Sequence, residues 1–376
     1  MKILIHQPRL SYYLGGGETV PLKQAELLSE LGFEIEILTS KPPKYSSVFE
    51  DFKKNNPQIT IHELELSGEQ RNIYDEEPGK DWYRWDKETI FFGQKSMDFY
   101  SKLEINYDLV ITHLLSDSLF VPERFRNVLH LHGVPSEKRA IDKVFLVRPN
   151  NFVSVSKSVK DGWESLYPEL KRRSIDICYN GIDANKFRDE NLKRDIDFLY
   201  VGRLLPHKGI YEIISALYIL KTKELNFNKL VMVGSGPEKE NLIEKIRELS
   251  LENDIELKDG LSNEELFNLY NRSKIFLCPS YAKEGVLTTM LEAASCGACV
   301  ITADACGMPE FANDERNAVL AKPQNINSLA ELMERLLKDN TLREKLRNQA
   351  KLDIQERWNT TRTIEELAKL YKSYAR

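Results

Sequence analysis

The chain is poor in cysteine, has no long apolar run and carries no excess of positive charge, and each shortage removes a class of function. Five cysteines in 376 residues are too sparse, and odd in number, for a disulfide framework. No stretch approaches the roughly eighteen consecutive apolar residues of a transmembrane helix, and the opening MKILIHQPRL meets a proline too soon for a secretory leader. A cytoplasmic protein is the expectation, with peripheral contact at the inner face of a membrane left open. The formal charge of -5 argues against a general nucleic-acid binder. Neither GxGxxG nor the Walker GxxxxGKS/T pattern occurs, which leaves an NAD-dependent oxidoreductase without its fingerprint.

Composition is that of a soluble globular protein, 41% hydrophobic and 30% charged, and the length suits two domains. Cys296 and Cys299 in CGAC, with Cys306 nearby, raise a metal or redox reading. No second ligand pair stands at zinc spacing, so thiols packed between a helix and a strand are the simpler account.

Apolar runs of strand length alternate with longer amphipathic stretches, the pattern of strand-helix-strand units around parallel sheets. One series holds KILIH, EIEILTS, YDLVITH, VLHLHG and NFVSVS; a second holds DFLYVGR, KLVMVG, DIELKDG, KIFLCPS and ACVIT. Their unbroken apolar character fits strands covered on both faces. The spacing predicts an α/β chain with domains at 1–178 and 179–358 and a final helical segment at 359–376. Residues 74 to 88, YDEEPGKDWYRWDKE, lack periodicity and read either as a binding loop or as a surface excursion packed by its own aromatics.

The strand ends carry the chemistry. In YYLGGGETV, Gly15, Gly16 and Gly17 follow the first strand and open a helix, where backbone amides can face an anion, although a tight turn also wants glycine. In VGRLLPHKGI, Arg203 can fork onto phosphate oxygens and Lys208 adds a compact charge, a pairing suited to a diphosphate. In VGSGPEKENL, Gly234 and Gly236 close a strand and Pro237 is expected at the first helical position; a nucleoside approaching bare backbone and a plain turn both fit.

The stretch EGVLTTMLE puts Glu284 and Glu292 eight positions apart, about 12 Å at helical rise. That is too far to share a proton and suits two carboxylates holding hydroxyls at opposite ends of a nucleotide sugar, with amides near Leu287 and Thr288 meeting the phosphates between. The plain alternative is a first-turn acid followed by a solvated one.

The order of these pieces resembles retaining glycosyltransferases of family 4, the glycosyl transferases group 1. NGIDANKF, VGRLLPHKGI, VGSGPE and CPSYAKEGVLTTMLEAASCGACVIT each match a motif of that family. The resemblance implies a GT-B architecture, two Rossmann-like domains with parallel sheets facing a central cleft, the C-terminal helix crossing back to the N-terminal domain. It implies an acceptor-side first domain and a second domain binding the nucleotide sugar. By it, Arg203 and Lys208 bind the donor diphosphate, Glu284 touches the sugar and Glu292 holds the ribose; Gly16, Gly17, Gly234, Leu261, Gly285, Leu287 and Thr288 complete the donor site. His132 in HLHG stands near the reacting sugar, with His113 as a further candidate. Leu287, where many relatives have glycine or proline, and Cys299, where proline is common, depart from the pattern.

The implied reaction moves a hexose-type sugar from a nucleotide diphosphate donor to a carbohydrate, lipid-linked or small-molecule hydroxyl acceptor, with retention of configuration and neither cofactor nor metal. A silent nucleotide-sugar-binding subunit and a GT-B epimerase or phosphorylase are the alternatives. Segment 40 to 100 is expected to shape the acceptor side.

Overall fold

The computed structural model describes residues 1–13, 16–67, 82–104, 106–135 and 137–375, with the side chains of 16–17 and 82–86 set aside. The chain divides into two compact units, Met1–Cys178 joined by Ile364–Arg376, and Tyr179–Thr363.

The first unit is a seven-stranded, wholly parallel sheet in the order β3-β2-β1-β4-β5-β6-β7. Its strands are β1 (Lys2–His6), β2 (Glu34–Lys41), β3 (Thr60–Glu65), β4 (Leu109–Thr112), β5 (Asn127–Leu131), β6 (Asn151–Ser154) and β7 (Ile175–Ile177). Helices α1 (Gly16–Glu30), α2 (Ser47–Asn55), α3 (Trp82–Ser101), α4 (Asp142–Val147) and α5 (Lys157–Leu166) lie between them. Residues 82 to 88, read as aperiodic from sequence, are instead the first turns of α3, while 74 to 81 lie outside the described residues.

The second unit is a six-stranded parallel sheet in the order β10-β9-β8-β11-β12-β13. It uses β8 (Ile196–Val201), β9 (Leu230–Val233), β10 (Ile255–Lys258), β11 (Ser273–Cys278), β12 (Cys299–Ala303) and β13 (Val319–Ala321). Its helices are α6 (Ile210–Thr222), α7 (Lys239–Glu248), α8 (Asn263–Arg272), α9 (Thr288–Ser295), α10 (Met308–Phe311), α11 (Ile326–Lys338) and α12 (Asn340–Asp353), before α13 (Thr360–Tyr374) ends the chain.

Side-chain alternation accounts for the unbroken apolar strands. Phe198, Met232, Ile275, Leu277 and Ile301 enter one core, while Leu199, Val231, Phe276, Cys278 and Val300 enter another on the opposite face. Both faces are buried, as a parallel sheet requires. In the first unit, α13 supplies Ile364, Leu367, Ala368 and Tyr371 to the core built on Ile3, Ile35 and Leu109. Among the described residues no helix is long and apolar enough to cross a membrane.

Each sheet reverses its strand order once, between β1 and β4 and between β8 and β11. Ligands of open α/β sheets bind at such switch points, outside the carboxyl ends of the strands. The candidate residues sit there: His113 and His132 beyond β4 and β5, Arg203 beyond β8, Glu284 beyond β11.

Candidate active site

In the second unit the β8 end is locked by local chemistry. The fully buried Tyr200 donates its hydroxyl to the Arg203 carbonyl at 2.7 Å, and Gly202 N–H reaches Val233. Arg203 itself is exposed and makes no ion pair among the described residues. A short turn over Pro206–Lys208 follows and ends at Gly209, whose φ of +77° is left-handed. A Cβ there would also meet the Pro279 carbonyl at 2.7 Å, so glycine answers to both backbone and space.

That turn aims Lys208 at Glu284. The ammonium lies 2.6 and 2.7 Å from the two carboxylate oxygens, and the buried Ser280 hydroxyl donates to one of them at 2.7 Å. Two residues read separately, as a phosphate ligand and a sugar ligand, are thus one hydrogen-bonded cluster at the ends of β8 and β11. Ser280 was not singled out from sequence; its place at the end of a strand, four residues before Glu284, is the signal that could have found it.

Glu284 stands in the loop before α9, bonded through its backbone to Ala282 and Gly307. Only Thr288 onward is helical, so the 12 Å expected from helical rise over all eight steps does not apply: half of those steps are loop. Leu287 is the residue before the helix, at φ -72° and ψ 125°, a conformation open to any side chain. Its leucine side chain packs on the core together with Leu261 and Val286, while Gly285 is buried against Gly307. No side chain caps α9, so the first-turn amides of Thr288 and Thr289 are available to an anion.

Glu292 lies one turn inside α9 and accepts a 2.9 Å hydrogen bond from the buried Tyr270 hydroxyl. Burial pushes its carboxyl from 4.5 up to about 7, against the opposing pull of that hydrogen bond. A solvated helix residue would not titrate so.

Gly234 and Gly236 have a structural task. A Cβ on Gly234 would meet the Gly202 carbonyl oxygen at 1.9 Å, and one on Gly236 the Leu204 oxygen at 2.4 Å. The two loops are pressed backbone to backbone, with Leu204 N–H bonded to Ser235. Pro237 does not start a helix; α7 begins two residues later, at Lys239.

In the first unit α1 begins at Gly16, so Gly16 and Gly17 are its first backbone positions, while Gly15 lies outside the described residues. His132 follows β5 half-buried, its Nε2 2.8 Å from His113 Nδ1. The structure therefore joins His113 to His132, and it adds His130, whose ring centroid is 4.7 Å from that of His113. His130 was overlooked because one side chain in an apolar strand reads as core. These histidines line a cavity of about 330 Å³ together with Arg9, Glu18 and Trp163. Burial raises the Glu18 carboxyl to about 7, with the Arg9 charge pulling it back.

The cysteines behave as packing groups. Cys296 and Cys299 are buried free thiols, and burial pushes Cys299 up to about 12.

Residues 182–353 match the family model described as glycosyl transferases group 1. An uncharacterised glycosyltransferase of Methanocaldococcus jannaschii is 26% identical over 73% of this chain and 77% of its own. The lipopolysaccharide 1,2-N-acetylglucosaminetransferase of Salmonella typhimurium is 24% identical over 77% of this chain and 78% of its own. Among solved structures, Anabaena HepE in complex with UDP and glucose superposes with a TM-score of 0.78 at 18% identity, covering 99% of this chain and 100% of that one. A glycosyltransferase from Rickettsia africae gives 0.77 at 18% identity, covering 99% and 98%. The two parallel sheets thus form a fold of the GT-B type.

Proposed function

We propose that this chain, which the family match and the relatives support as a nucleotide-sugar-dependent glycosyltransferase of GT-B fold, transfers a hexose-type sugar to a hydroxyl acceptor with retention of configuration. The observation that carries the reading is the Lys208–Glu284–Ser280 cluster beside the uncapped start of α9. An incoming diphosphate takes Lys208 and Arg203, and Glu284, released from the ammonium, turns to the sugar hydroxyls. The ribose is assigned to Glu292.

In the proposed step the bond between the anomeric carbon and the diphosphate oxygen breaks while the acceptor oxygen forms its bond on the same face, and the acceptor proton passes to the leaving phosphate. Arg203, Lys208 and the α9 amides stabilise the charge that develops there. Glu284 accepts hydrogen bonds and forms no covalent bond to sugar. The resemblance assigns His132 a role near the reacting sugar. Glycan or glycoconjugate biosynthesis is the setting proposed, with a carbohydrate, lipid-linked or small hydroxyl acceptor.

Incubation with UDP-hexoses and an acceptor panel, followed by proton NMR of the product's anomeric signal, tests this. The same anomer as the donor is expected; an inverted product contradicts the mechanism, and donor consumed without any acceptor-linked sugar contradicts transfer.

A further inference from the structure

The ends of β4 and β5 hold three histidines, of which sugar transfer uses one. His130 is the penultimate residue of β5 and His132 is the first residue beyond its end. His113 follows the neighbouring strand β4, where the pairing of Thr112 with Leu129 brings it level with His130. One ring nitrogen from each of the three lies within 4.8 Å of the others. His113 is 6% exposed, and its Nε2 has no hydrogen-bond partner among the described residues. Three imidazole rings gathered at the ends of two neighbouring strands, with donor nitrogens within one ion's reach of each other, form a donor set suited to a transition metal.

We propose that His113, His130 and His132 form a three-nitrogen site for a divalent transition-metal ion of the zinc class. Zinc–nitrogen bonds of about 2.0–2.1 Å place ligand nitrogens about 3.3 Å apart in a tetrahedron. The 2.8 Å pair of His113 and His132 opens by about half an ångström to reach that spacing, and the third ring closes in. A neutral imidazole carries one nitrogen lone pair, the donor that a metal of this class takes. The proton shared between His113 and His132 moves to an outward nitrogen of its own ring, with no net release. Imidazole donors without a carboxylate among them select zinc, copper, nickel or cobalt over magnesium and calcium.

His130 has an outer partner as well: its Nε2 is 2.7 Å from the hydroxyl of Tyr371 on α13, a contact that orients the ring. The three histidines line the 330 Å³ cavity, which has room for water or an acceptor hydroxyl as a fourth ligand. A metal there takes His132 away from the sugar, so zinc should compete with transfer; that consequence rests on the proposed function, whereas the site itself does not.

The test is cobalt(II) titration of the chelator-stripped full chain, read by visible absorption and by mass spectrometry of bound metal. One ion per chain with the intense bands of four-coordinate cobalt is expected, displaced by zinc. The double variant His113→Asn with His130→Asn should lose it, and His62→Ala should keep it. Tyr371→Phe, which retains every ligand, should weaken binding about 10–100-fold. Absence of the bands in the wild type, or binding that survives the double variant unchanged, overturns the proposal. Because the readout involves no sugar, failure of the transfer reading leaves it intact.

Discussion

At the scale of single residues, Glu292 is the sharpest probe. A carboxyl raised from 4.5 to about 7 holds a proton in the folded chain that the unfolded chain releases, so its contribution to stability falls as pH rises between those values. Glu292→Gln should therefore stabilise the protein at pH 8, by at most about 3 kcal/mol, and leave stability at pH 4 unchanged. Urea unfolding at the two pH values reads this directly. The same substitution should weaken nucleotide binding, since an amide replaces the carboxylate assigned to the ribose hydroxyls. A variant no more stable than the wild type at pH 8 would show that Glu292 is solvated after all. Asp189 presents the opposite sign: burial opposes its ionisation, but Lys351, Arg194 and Arg347 hold it below the usual carboxylate range. Asp189→Ala leaves those three cations without their shared anion, and a loss of about 3–5 kcal/mol is expected from thermal or urea unfolding.

Among elements, the contact between the β8 and β9 ends decides whether the loop that carries Arg203 keeps its shape. Gly234→Ala drives a Cβ into the Gly202 carbonyl, a backbone atom that cannot turn aside. It should cost about 1–3 kcal/mol and lower donor affinity together, because Arg203 hangs on the displaced segment. A variant that unfolds at the wild-type urea midpoint would contradict this close approach. Strands with long apolar runs were legible in sequence for the same reason they fold: burial on both faces leaves no polar positions to interrupt them. The strands that escaped notice are β3, polar at TIHELE because its side chains are only partly covered, and the three-residue β7 and β13. The Lys208–Glu284 pair was not legible either. Each residue belongs to a recognisable motif, but their meeting depends on a left-handed Gly209 and on two strands 72 residues apart at Val201 and Ser273, which no local pattern records.

At the level of the whole molecule, the last helix helps complete the first unit. Leu367 and Tyr371 are buried in the core founded on β1 and β2, and the Tyr374 hydroxyl reaches Asp176 in β7 at 2.6 Å. Leu367→Ala should destabilise that unit by about 2–5 kcal/mol, visible as an earlier first transition in calorimetry, while nucleotide binding to the second unit persists. The central claim concerns the second unit, that its strand ends hold a nucleotide diphosphate. Thermal unfolding across a panel of nucleoside diphosphates at about a hundred times their dissociation constants tests it most directly. One base should raise the melting temperature by about 5–10 °C, and Arg203→Ala with Lys208→Ala should abolish the shift. A wild type indifferent to every nucleotide, or a double variant that responds as the wild type does, would contradict the account.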